Sequence, residues 1–90
     1  MARVFFTENL RRYVDCIPQT VHADNLRAAL DSALTPWPQA AAYIFDEQGC
    51  IRRHVAIFVD GRLCSERRFP ERVPVGADAQ IYVMQALSGG

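Results

Sequence analysis

Apolar residues recur along this chain with two different periods, and the switches between them divide it into elements. Residues 3–7, Arg3-Val4-Phe5-Phe6-Thr7, are β-branched and aromatic and predict a first strand. A polar connection, Glu8-Asn9-Leu10-Arg11-Arg12-Tyr13, leads to a second predicted strand over 16–21. Pro18 lies inside that strand and has no N–H for a ladder, so an edge position or a bulge is expected, as one arm of a hairpin. The period then becomes helical. Leu26, Ala29, Leu30, Ala33 and Leu34 fall on one stripe behind Asp24, the predicted N-cap. Pro36 stops this helix, and Pro38 opens a second, shorter one over 38–44. Asp46-Glu47-Gln48-Gly49 reads as a turn.

Alternation returns at 54–59, with Val55, Ile57 and Val59 on one face and His54, Ala56 and Phe58 on the other. Asp60-Gly61 ends that strand. Residues 62–74 are irregular and arginine-rich, with a short strand near Leu63-Cys64. Gly76-Ala77-Asp78-Ala79 turns the chain into a last strand over 80–87. Strands on both sides of one main helix predict an α+β fold, a mixed sheet of four to five strands curled over that helix. First and last strands then lie side by side in the sheet centre. The core draws Leu26, Leu30 and Leu34 from the helix and Val4 or Phe5, Val55, Ile57 and Val83 from the sheet. This is the β-grasp, or ubiquitin-like, layout, in one domain spanning 1–90.

Behind the last strand the sequence closes with Gly89-Gly90, and 87–90 form an expected flexible tail. Diglycine carries no side chain to obstruct a narrow channel and adopts backbone angles that other residues resist. A terminal carboxylate is ionised at neutral pH, since such groups titrate near pH ~3.5. The tail is therefore a slim rod tipped by an acid that an enzyme can take into a cleft. Tyr82, Met84 and Ala86 share the strand face opposite Ile81, Val83 and Leu87. If the first set meets solvent, it makes an apolar docking patch beside the tail, continued by Leu87 and Ser88; otherwise both faces are covered.

Composition narrows the partners. Half the 90 residues are hydrophobic and 22% are charged, as in an ordinary globular domain. A chain of this size hides only about 60–65% of its unfolded surface, leaving little room for a deep active site. Ten basic and ten acidic residues cancel, which argues against nucleic acid or an anionic membrane as the main partner. Every basic residue is arginine; there is no lysine. No apolar run approaches the ~20 residues of a membrane span, and the first apolar run is too short for a signal peptide. Cys16, Cys50 and Cys64 are odd in number and contain no CxxC pair, so a cytoplasmic protein without a disulfide framework is expected. Cys50 and His54 form the one close Cys/His pair, with no third ligand for a metal, so none is expected. Arg52, Arg53, Arg67, Arg68 and Arg72 could gather into a basic ridge balanced by Glu66, Glu71 and Asp78, or guide an acidic groove of a partner.

Four stretches, in order, resemble one family. They are Leu10-Arg11-Arg12-Tyr13; Phe45-Asp46-Glu47-Gln48-Gly49 with Ile51-Arg52-Arg53-His54-Val55; Phe58-Val59-Asp60-Gly61; and Val75-Gly76-Ala77-Asp78-Ala79-Gln80-Ile81 through Gly90. Together they resemble the ubiquitin-like sulfur carriers of the MoaD/ThiS type, particularly the branch serving cysteine synthesis. Of these stretches only the diglycine is a chemical motif; the others report the fold. Gln85-Ala86-Leu87-Ser88 departs from the family's usual proline-containing, alanine-ending tail, and the helix start lacks its usual threonine.

The resemblance implies a carrier that is not itself an enzyme and holds no permanent cofactor. An E1-like partner of the MoeB/ThiF type would adenylate the Gly90 carboxylate with ATP, and sulfide or a persulfide would displace AMP to give a thiocarboxylate. A synthase would then accept the sulfur for cofactor, cysteine or secondary-metabolite biosynthesis. Gly90, with Gly89, is the reacting end. A protein modifier joined to amines through Gly90, or a non-covalent β-grasp interaction module, would share these sequence features.

Overall fold

The computed structural model describes residues 1–7 and 18–85. The predicted polar connection after the first strand, the start of the second strand and the tail residues Ala86, Leu87, Ser88, Gly89 and Gly90 lie outside the described residues. The elements follow the expected order: β1 (Ala2–Phe6), β2 (Gln19–Val21), α1 (Leu26–Ala33), α2 (Pro38–Ile44), β3 (Val55–Val59), β4 (Arg62–Leu63) and β5 (Gln80–Gln85). A single 3₁₀ turn, Pro70–Arg72, lies between β4 and β5.

The sheet is five-stranded and mixed, in the order β2-β1-β5-β3-β4. β1 and β5 run parallel at its centre, with Val4 beside Ile81 and Phe6 beside Val83. β2 pairs antiparallel with β1 at one edge, and Pro18 stands just before it, where no ladder N–H is needed. β3 is antiparallel to β5 and to β4. This is the predicted β-grasp layout.

Period-2 alternation settles the choice between Val4 and Phe5. Ala2, Val4 and Phe6 point inward, with Val4 wholly buried, and Phe5 turns to the other face. The inward layer also holds Val55, Ile57, Ile81 and Val83, and α1 contributes Leu26, Ala29, Leu30 and Ala33. Leu26 and Leu30 have no exposed surface. Burying one such leucine contributes roughly 1.5–3 kcal/mol, so this stripe dominates the adhesion of helix to sheet.

Three expectations change. The N-cap is Asn25, not Asp24: its Oδ1 accepts from the Ala28 N–H at 2.8 Å. Val73–Val75 pins the chain there, with Leu26 N–H donating to Val73 O at 2.8 Å and Val75 N–H to Asp24 O at 3.0 Å. This holds Asn25 extended, at φ −141°, the conformation an N-cap requires. α1 also ends earlier than Pro36, at Ala33, and with eight residues is barely longer than α2 with seven. Leu34 nonetheless stays buried, as its place on the stripe requires. Finally, the irregular 62–74 stretch contains the 3₁₀ turn, whose Pro70 is buried.

Two turns explain the loops. Asp60 and Gly61 both have positive φ, 51° and 83°, as the tight hairpin between β3 and β4 demands. Asp46 Oδ1 accepts from the N–H groups of Gln48 and Cys50, both at 2.9 Å, closing the 46–49 turn. Gly49 in that turn has φ 82°, and a Cβ there would lie 2.9 Å from Arg27 Nη1. The same arginine donates to Gly49 O at 3.2 Å and lies 4.2 Å over the Phe45 ring.

Candidate partner-binding face

Inward alternation of the aliphatic residues leaves a second apolar set on the far side of the sheet. Register places it in one row across four strands. Phe5 of β1 stands beside Tyr82 of β5, Tyr82 opposite Phe58 of β3, and Phe58 opposite Leu63 of β4. Ala56 and Met84 form the adjacent pair on the same face. The Phe5 and Tyr82 rings are stacked, with centroids 4.6 Å apart and planes 10° from parallel. Tyr82 remains 37% exposed and Leu63 59%, so this face is open. The predicted face-sharing of Tyr82 and Met84, opposite Ile81 and Val83, is therefore present, and among the described residues it is uncovered.

Phe5 and Phe58 belong to this row, although the sequence reading did not single them out for binding. The signal was present in the alternation. Any outward residue of β1 and β3 flanking Tyr82 had to join it once β1 and β5 were neighbours.

The row includes Tyr82 of β5, the strand that precedes the predicted reacting end in the sequence. Gln85, the last described residue of β5, pairs with Val55 at the start of β3. On the other side the Thr7 N–H donates to Val83 O at 3.2 Å. β5 is thus held on both flanks, as far as Val83 on the β1 side and as far as Gln85 on the β3 side. Ala86, Leu87, Ser88, Gly89 and Gly90 follow.

The arginines behave less uniformly than the ridge expectation. Arg67 turns its guanidinium onto the carbonyls of Arg52 and Val55, where it ties two loops together. Arg52 donates to Ala42 O at 3.0 Å. Arg68 and Arg72 lie over the Phe69 ring at 5.9 Å and 4.5 Å. Two of the three expected counter-ions, Glu66 and Asp78, are engaged elsewhere. Glu66 accepts from the backbone N–H groups of Arg68 and Phe69, and Asp78 faces the Met1 ammonium at 3.4 Å. Arg53 is exposed two residues before Val55, near the exit of β5.

The remaining candidates have structural employment. His54 Nε2 lies 3.1 Å from Tyr43 O, and the two rings are 4.4 Å apart. Cys50 Sγ faces Arg68 O at 3.8 Å. Cys64 Sγ faces Glu66 O at 3.3 Å, in an open cleft of about 290 Å³ that Val59, Leu63 and Val73 also line. Among the described residues no group of three His, Cys, Asp or Glu side chains could hold a metal ion. No described helix is long and apolar enough to cross a membrane.

No protein-family model matches the sequence, and no curated protein matches it. Solved structures do match the fold. The small archaeal modifier protein 1 from Methanosarcina acetivorans superposes with a TM-score of 0.78 at 15% identity, over 99% of this chain and 95% of that one. SAMP1 from Haloferax volcanii gives 0.75 at 16% identity, over 99% and 98%. A chain of the Amycolatopsis orientalis BexX/CysO complex gives 0.80 at 15% identity, over the whole of both chains. At such identities the likeness shows the fold, and it shows it end to end.

Proposed function

We propose that this chain is a ubiquitin-like sulfur carrier of the MoaD/ThiS type, a protein co-substrate whose reacting group is the Gly90 carboxylate. The observation that carries the reading is the pairing of an open aromatic row with a central strand, parallel to β1, whose last described residue, Gln85, stands five residues before Gly90 in the sequence. A docked partner covering Phe5, Tyr82, Phe58 and Met84 receives the tail at a fixed place, and Leu87 and Ser88 guide it into the active site. The neighbour solved as a complex with BexX supports the idea that such a fold meets a protein partner.

The chemistry follows from the carboxylate. In its ionised form it is a poor electrophile. An E1-like enzyme supplies ATP, the carboxylate oxygen attacks the α-phosphorus, and pyrophosphate leaves. Sulfide sulfur then attacks the acyl carbon and AMP leaves, giving the thiocarboxylate that a synthase consumes. Nothing in this sequence of steps requires a catalytic side chain or resident cofactor on the carrier. Its contribution is the slim tail and the docking face.

A second reading, conjugation of Gly90 to amines of other proteins, is favoured by the modifier proteins among the structural neighbours. Both readings share the first step. ATP–pyrophosphate exchange by an E1-like enzyme from the same cell should therefore rise with added full chain and stay at background with a chain lacking Gly89-Gly90. Equal exchange with both chains would refute the role of the tail.

A further inference from the structure

An activated C-terminus is an acylating agent, and the first nucleophiles it meets are those of its own chain. Lysine is among the commonest residues of globular domains. These 90 residues carry none, and all ten basic side chains are arginine. An arginine guanidinium stays protonated at any working pH and offers no lone pair to a carbonyl, whereas a lysine amine does. The three cysteines can exchange with a thioester, but that exchange is reversible in excess thiol, and no neighbouring side-chain amine exists to trap the acyl group.

The remaining primary amine is the α-amino group of Met1, and the parallel pairing of β1 with β5 places it at the wrong end of the sheet. Arg3 stands beside Gln80, and the Met1 ammonium lies 3.4 Å from Asp78, before β5 begins. Gln85 is seven residues further along, roughly 23 Å at the rise of a strand. The five residues after it span at most about 18 Å when fully extended, and they would also have to reverse direction. In cis, the Gly90 carbonyl falls short of Met1 unless β5 comes away from the sheet.

We propose, on the reading that Gly90 is activated, that this chain is inert toward its own activated terminus. The acyl group has no amine within reach on its own chain and no side-chain amine on a second copy, so its lasting transfer is to a foreign nucleophile. In that transfer the attacking atom bonds to the Gly90 carbonyl carbon, the C–O bond to AMP or the C–S bond breaks, and an attacking amine gives its proton to solvent.

The test installs the activation without any enzyme. The full chain is prepared with a Gly90 thioester by intein cleavage and held in excess thiol at mildly alkaline pH, and intact mass is followed. The wild type should decay to the hydrolysed acid alone, while added free lysine amide consumes the thioester. The variant R53K, with its new amine beside the exit of β5, should yield a cyclised product one water lighter than the acid. That product should form roughly a thousandfold faster than any adduct between separate molecules at micromolar concentration, because a short flexible tether gives a millimolar effective concentration. Self-adducts of the wild type at the rate of R53K would overturn the proposal. So would an R53K thioester that only hydrolyses while lysine amide consumes it, since lysine content would then not be the protection. Absence of any activating enzyme would defeat the functional reading and leave these masses unchanged, so the two failures are separable.

Discussion

The two faces of the sheet are built from the same strands and are both apolar, yet they differ in kind. The inner face is aliphatic and dry: Val4, Val55, Ile57, Ile81 and Val83 are at most 1% exposed beneath α1. The outer face is aromatic and open, and Tyr82 and Leu63 keep 37% and 59% of their surface in water. Branched aliphatic side chains fill a close-packed interior without leaving a polar group behind. Aromatic rings present large, rigid area at little entropic cost and still tolerate water, which suits a surface that is covered only part of the time. One strand, β5, serves both: Ile81 and Val83 anchor it while Tyr82 and Met84 face outward. On the proposed reading, β5 couples the core to the docking face through a single element.

Substitutions on the two faces should separate. Leu30→Ala removes a wholly buried side chain on the covered side and should cost about 2–5 kcal/mol in urea unfolding, enough to unfold much of a marginal domain. Tyr82→Ala should weaken binding of an E1-like partner by about 2 kcal/mol, roughly 30-fold in Kd by calorimetry, as a central aromatic anchor does. Its stability cost should be smaller, about 1 kcal/mol, the loss of the stack on Phe5. If Tyr82→Ala destabilised the fold as much as Leu30→Ala, the contrast between the faces would collapse. The smallest effect is expected at the helix cap: Asn25→Ala should lower stability by about 1 kcal/mol and leave partner affinity untouched, because the cap holds only the covering helix.

Where the sequence was legible, periodicity carried it. The strand alternation at 54–59 and in the predicted 80–87 strand, described as far as Gln85, and the leucine stripe of α1 each reported one face directly, and the central β1–β5 pair followed from the layout. Phe5 was ambiguous because Val4-Phe5-Phe6 is an unbroken apolar run, in which period alone does not assign a face. Asn25 and Asp24 are chemically equivalent caps, and a non-local pairing with Val73–Val75 chose between them. Arg67 read as surface charge because its partners, the carbonyls of Arg52 and Val55, are backbone groups invisible to residue type. The 3₁₀ turn at Pro70–Arg72 is too short to leave a period. The diglycine was plain as a motif, whereas the aromatic row needed strand order before Phe5, Tyr82, Phe58 and Leu63 could be placed together.

Transfer of sulfur to Gly90 is read most directly by the intact mass of the chain. After incubation with an E1-like enzyme, ATP and a sulfide source, the mass should rise by the difference between one sulfur and one oxygen. The gain should vanish when Gly90 is deleted. A mass that stays unchanged under conditions that support adenylation, or one that grows instead by attachment to other proteins, would contradict the carrier account; the second result would establish the modifier in its place.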